Sequence, residues 1–183
     1  KIKLSYLGNL GLGRHETLIK LASVIQEISS SLVIDVYGKC PTKEIEEAFI
    51  ECNGINYKGF VSYDDVKAVI SQSDILFHVE NFSDFYIKYI KYGFSTKIAD
   101  SLMSGKCFFL YAPESLACTR YMMKYNPDCV ATNREELVKR IKLIIEDSEF
   151  RIKCSQKCVE TAKKNHSADI VDDKFFNIIN SVI

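Results

Sequence analysis

With 183 residues the chain is long enough for one substantial hydrophobic core, and a single domain spanning residues 1–183 is the expected reading of that length. An apolar fraction of 47%, a charged fraction of 26%, eight Gly and three Pro exclude a disordered or collagen-like polymer. Lys plus Arg equal Asp plus Glu at 24 each, so no net field draws the chain to nucleic acid or anionic lipid, and no nucleic-acid partner is expected.

Short β-branched or aromatic runs alternate with helix-period segments along the chain. Residues 2–7 read as a strand, 16–28 as a helix and 32–37 as a strand. In that helix Leu18, Leu21, Ala22, Ile25 and Ile28 recur at three- and four-residue spacing, giving one apolar stripe to lay on a sheet. A helix over 43–52 follows, started by Thr42 and stopped by Asn53-Gly54, then a strand over 55–61. Ser62 and Asp65 form an S-x-x-D capping pattern ahead of a helix over 63–72, and 74–79 reads as a strand. An aromatic-rich connection over 80–92 precedes a helix that starts at Ser95 or Thr96 and stops at Gly105, with Ile98, Ala99, Leu102 and Met103 inward. A strand over 106–111, a helix over 113–125 and a short strand over 129–131 come next. A helix from Arg134 is capped by Asn133, with Glu136 reaching back, and segments over 148–165 and 168–183 close the chain. About six strands separated by helices, without a tight hairpin signal, predict a doubly wound, Rossmann-like open parallel sheet with helices on both faces.

The seven cysteines are odd in number and scattered through these elements, which fits buried thiols in a reducing cytosol better than a disulfide framework. Cys154 and Cys158 lie four apart and share a helix face, but no His or further Cys is near them in sequence. They are expected as structural thiols, and no metal site is expected. No apolar run approaches the ~20 residues of a membrane span, and no cleavable leader is expected. Lys1 already stands in a strand-like run, so the chain is expected to be a fragment.

In open α/β sheets ligands bind beyond the carboxyl ends of the strands, which singles out the loops after Leu7, Tyr37, Val61, Val79 and Tyr111. The first of these, Gly8-Asn9-Leu10-Gly11-Leu12-Gly13-Arg14, supplies glycines for close backbone approach and an Arg able to meet a phosphate bidentately. It is neither G-x-G-x-x-G nor a P-loop, and a plain glycine-rich turn is an equal reading of it alone. The second element, Gly93-Phe94-Ser95-Thr96-Lys97 through Asp100 to Gly105, is a glycine-led helix start with a cation in its first turn. A cation there opposes the helix dipole unless an anion compensates it, so Lys97 points to an anionic ligand. Asp100 shares a face with Lys97 and suits ribose hydroxyls; the plainer reading is a surface Lys–Asp pair.

At these two loops the sequence resembles the retaining glycosyltransferases of the GT-B fold, in particular the group called family 4. Members open their C-terminal domain with a strand and a glycine-rich loop, and later carry a Gly-Phe-x-x-x-x-x-Glu-x-x-x-x-Gly run that Gly93 to Gly105 fits, with Asp100 at the glutamate. Between them Tyr57-Lys58-Gly59-Phe60-Val61 and Ser73-Asp74-Ile75-Leu76 resemble the family's base-contacting turn and next strand. The resemblance implies a donor-binding domain of a hexosyltransferase-like enzyme that moves a sugar from a nucleoside diphosphate, UDP foremost, to an acceptor hydroxyl in polysaccharide or glycoconjugate synthesis. No further cofactor is implied. Gly8, Asn9, Gly11 and Arg14 would lie by the diphosphate with Gly93, Phe94, Ser95, Thr96 and Lys97. Arg14 and Lys97 would stabilise the leaving group, Asp100 would hold the ribose, and Gly59, Phe60 and Val61 would border the base. The acceptor site would belong to an N-terminal domain absent from this chain, which leaves the isolated domain inactive in transfer and confines any membrane contact to that missing half.

Three positions depart from the family pattern: Asn9 replaces a basic residue, Tyr92 stands where a first glutamate is usual, and Asp100 is one carbon short. Glu80 and Asp84 are the candidates to replace that glutamate. The aromatic stripe Phe82, Phe85, Tyr86, Tyr89 and Tyr92 is expected as an interdomain or core face rather than a stacking platform. His15, His78 and His166 are assigned no catalytic role. The rival readings are another GT-B enzyme such as a sugar-nucleotide epimerase, and a non-catalytic scaffold of the same fold.

Overall fold

Apolar runs build six strands and amphipathic runs build nine α-helices across residues 2–182, the part of the chain that the computed structural model describes. The first half runs β1 (Leu4–Leu7), α1 (Arg14–Ile28), β2 (Ile34–Tyr37), α2 (Lys43–Glu51), β3 (Ile55–Gly59) and α3 (Tyr63–Gln72). The second runs β4 (Ile75–Val79), α4 (Asp84–Ile90), α5 (Thr96–Met103), β5 (Cys107–Tyr111) and α6 (Ala117–Tyr125). It ends with a 3-10 turn over Pro127–Cys129, β6 (Val130–Ala131), α7 (Arg134–Glu146), α8 (Ser148–His166) and α9 (Ala168–Val182). The strands form one parallel sheet in the order β3-β2-β1-β4-β5-β6, the doubly wound arrangement expected from the alternation. No helix among the described residues is long and apolar enough to cross a membrane.

The central strands are apolar throughout because both of their faces are covered: every residue of β4 (Ile-Leu-Phe-His-Val) and β5 (Cys-Phe-Phe-Leu-Tyr) is buried. In α1 the stripe holds, with Leu18, Leu21, Ala22 and Ile25 buried and Ile28 packed partly against them. Each of its large side chains contributes about 2 kcal/mol by leaving water. Helix α5 differs from its expected stripe. Ile98 and Leu102, one turn apart, are buried, whereas Met103 is exposed because a five-residue step from Ile98 leaves that face.

Two caps form as their spacing suggests. Ser62 Oγ accepts from the Asp65 amide and donates to its carboxylate (2.5 Å), and Asn133 Oδ1 accepts from the Glu136 amide (3.0 Å). The Glu136 carboxylate reaches one residue past the cap, accepting from the Thr132 amide at 2.8 Å. The connection over 80–92 is not simply irregular, because Ser83 caps α4 and the aromatic spacing becomes helical. Only part of its aromatic stripe meets the core. Phe82 packs on Tyr111 with ring centroids 4.8 Å apart, but Phe85, Tyr89 and Tyr92 are exposed and a core face does not account for them.

The chain order reverses direction between β1 and β4, so the segments leaving these strands diverge. The crevice beyond their carboxyl ends is where such sheets receive ligands.

Candidate functional site

The glycine loop after β1 is braced from three sides. The Gly8 amide donates to Tyr37 O at the end of β2 (3.0 Å), the buried Tyr6 hydroxyl donates to Asn9 O (2.8 Å), and Asn9 Oδ1 accepts from the Gly11 amide (2.6 Å). Asn9 is thus partly a loop brace. Leu12 and Gly13 take left-handed backbone, at φ 57° and 69°. A Cβ on Gly13 would strike the Asn81 amide and the Tyr86 ring, and Asn81 Nδ2 donates to Gly13 O at 2.8 Å. Gly38 fits for a related reason, since a Cβ there would collide with the Gly8 carbonyl.

Arg14, the first residue of α1, reaches the end of β4. Its Nε and Nη2 donate to Glu80 Oε2 (2.8 Å) and Oε1 (2.9 Å), and His78 Nε2 donates to the same Oε1 at 3.0 Å. The Glu80 side chain is only 6% exposed. Burial works against its charge, but the hydrogen bonds and charges of His78 and Arg14 outweigh it and hold the carboxyl below its ordinary pKa. Burial likewise opposes the Arg14 charge, and Glu80 more than restores it. Sequence reasoning assigned no role to His78; its neighbour Glu80, first residue after a strand at the ligand edge, was the available signal.

Helix α5 faces the crevice with its amino end. Ser95, its N-cap residue, makes no side-chain cap, and no acid occupies the first turn, so the first amides lack a side-chain partner. Lys97 stands there instead. Although Lys97 is largely exposed, partial desolvation in the crevice and then the charge of Arg14 lower the pKa of its ammonium group.

Two cavities meet at this point. One of about 380 Å³ is walled by Arg14, His78, Glu80, Gly93, Phe94 and Ser95. The other, about 690 Å³, is largely apolar and lies between the β2 loop and α3, walled by Phe60, Val61, Val66 and Ile70 with Asp100 at its side. Leu7, Gly8, Asn9 and Lys97 line both. Gly8, Asn9, Arg14, Phe60, Val61, Gly93, Phe94, Ser95, Lys97 and Asp100 are therefore brought to one crevice, while Gly11, Gly59 and Thr96 lie outside the two cavity walls. Tyr92 is 80% exposed and lines neither, and Glu80 is the carboxylate found there, not Asp84. Cys118 also borders the smaller cavity, but burial, followed by the charge of Glu80, pushes its thiol up to about 11, which rules out a ready thiolate.

No protein-family model and no curated protein matches the chain. Solved structures do. The catalytic domain of a cholesterol-α-glucosyltransferase from Helicobacter pylori superposes with TM-score 0.66 at 12% identity, over 89% of this chain and 98% of that one. Anabaena HepE, solved with UDP and glucose, superposes with TM-score 0.73 at 14% identity, over 99% of this chain and 48% of HepE. A TarM variant of S. aureus, in complex with UDP among other ligands, gives 0.75 at 11% identity over 98% of this chain and 36% of its own. The chain thus spans about half or less of HepE and TarM. At such low identity these likenesses concern the fold: the chain has a Rossmann-like α/β fold that it shares with these solved structures, glycosyltransferases among them.

Proposed function

We propose that this chain is the donor-binding domain of a retaining glycosyltransferase, holding a nucleoside diphosphate sugar across its two cavities. The observation that carries this reading is the junction: a glycine loop, the open amino end of α5 and Lys97 meet where a large, mostly apolar cavity joins a smaller one walled by Arg14, His78 and Glu80. A diphosphate belongs at such a cationic, amide-rich point. The base would lie against Phe60, Val61, Val66 and Ile70, the ribose by Asp100, and the sugar beside Arg14, Glu80 and His78. UDP is the favoured nucleotide, and the UDP complexes of HepE and TarM support that choice.

Transfer builds negative charge on the departing diphosphate. Lys97 and the α5 amides would stabilise it without a metal, and Arg14, two of whose nitrogens are engaged by Glu80, would add its remaining N–H groups. The acceptor and its site would come from a second domain, for which the greater length of HepE and TarM is the support, so the isolated chain would bind donor without transferring it.

The convergence of His78 and Glu80 on the sugar side raises the epimerase reading, which needs a base. Both Glu80 oxygens already accept hydrogen bonds from cations or an imidazole, and its lowered pKa makes it a weak base. A structural role for the pair fits better. Calorimetric titration with UDP, GDP, ADP and inorganic phosphate tests the proposal: selective binding of one nucleoside diphosphate supports it, and no binding by a folded sample favours the scaffold reading.

A further inference from the structure

Away from the crevice, four of the seven cysteines converge. Cys107 opens β5, Cys129 ends the 3-10 turn before β6, and Cys154 lies in α8; their Sγ atoms are all within 4.8 Å of one another. Cys158 is one turn further along the same face of α8 and equally buried; its sulfur lies outside the group mutually within 4.8 Å, so completing a set of four takes a side-chain rotation. None of the four is more than 4% exposed. The pair that seemed isolated in sequence therefore has its missing partners supplied by the fold, from 47 and 25 residues upstream of Cys154 (154 − 107 and 154 − 129).

Thiols used only as small apolar groups gain nothing by gathering, since an S–H is a weak donor and packs equally well against aliphatic carbon. Pairing into disulfides is a poor account too, because the Cys129 sulfur has two thiols within 4.8 Å rather than one. A four-thiolate set does explain the gathering. Zinc bonds thiolate at about 2.3 Å in a tetrahedron, which places the sulfurs about 3.8 Å apart, within side-chain adjustment of the separation found. Such close thiols suit one ion rather than a multinuclear cluster, and all-sulfur ligation selects a soft metal over magnesium or calcium. The spacing Cys154-x-x-x-Cys158 is an ordinary zinc-ligand interval. Lys153 and Lys157 stand beside Cys154 and Cys158 in the chain, and their charges would offset the net negative charge of four thiolates around a divalent ion.

We propose that Cys107, Cys129, Cys154 and Cys158 form a structural tetrathiolate zinc site that fastens α8 and the turn before β6 to β5. Binding releases the four thiol protons to solvent and changes no oxidation state. Because α8 packs on α5 as well as on β5, the ion braces the helix that carries Lys97.

The test is metal analysis of the whole chain, purified under reducing conditions with zinc present, together with the absorption spectrum after cobalt replacement. About one zinc per chain is expected, released by an organomercurial thiol reagent, with the intense thiolate-to-cobalt bands of a tetrahedral site. Cys154→Ser and Cys158→Ser should each lose the metal and lower Tm, whereas Cys52→Ser keeps both. A folded wild-type chain that takes up less than about a tenth of an equivalent of zinc and gives no cobalt bands overturns the proposal, as does iron in place of zinc. The wild-type result decides the matter even where a serine variant fails to fold.

Discussion

Glu80 is the residue on which the polar wall of the crevice depends. It is buried against Arg14 and His78, and replacing it with Gln leaves a buried guanidinium without its counter-charge, so Glu80→Gln should lower stability by about 3 kcal/mol in urea unfolding at neutral pH. The pH dependence has a definite sign. A carboxyl whose folded pKa is depressed stabilises the fold above its unfolded pKa and loses that contribution as pH falls through the folded value. The stability gap between wild type and Glu80→Gln should therefore be full at neutral pH and shrink on acidification. Lys97 is exposed and supports no core, so Lys97→Ala should leave Tm unchanged while costing about 2 kcal/mol of UDP affinity, roughly thirtyfold in Kd by calorimetry. Lys97 and Asp100 could be singled out in sequence, and both line the crevice, because their signal is local: a cation in a helix's first turn and a carboxylate three residues on. The Arg14–Glu80 pair joins residues 66 apart in the chain, and the cysteine cluster joins three separate elements, so neither has a local signal.

At the scale of elements, legibility follows the same division. The caps at Ser62 and Asn133 and the α1 stripe were readable because spacing alone fixes them. Helix α3 shows what spacing leaves open: Val66 and Ile70 form an apolar side, yet both wall the larger cavity, and of the two only Ile70 packs partly against the core. The glycine loop shows it again. Its sequence left a plain turn as an equal reading, and the reason for Gly13 lies in Asn81 and Tyr86, which only the fold brings beside it. Gly13→Ala, with left-handed backbone and a Cβ clash, should destabilise the chain by about 2 kcal/mol or more in urea unfolding and loosen the loop, which would weaken nucleotide binding as well.

For the whole molecule, strand order and switch point follow from βαβ alternation and right-handed crossovers, which is why the architecture could be read before any coordinate. What the sheet does not dictate is how ligand sites are shared with another body. Phe85, Tyr89 and Tyr92 on and after α4, and Phe175 and Phe176 on α9, are exposed aromatic groups whose ring contacts are with near neighbours in the chain.

The central claim is that one nucleotide spans both cavities with its diphosphate at their junction. Titrating UDP into the isotope-labelled chain and following the backbone amides by NMR tests it most directly. The account requires saturable shifts centred on Gly8, Asn9, Ser95, Thr96 and Lys97, continuing to Phe60 and Val61, and lost in Lys97→Ala at the same UDP concentration. Shifts confined to any other surface, or none in a folded sample at millimolar UDP, would contradict it.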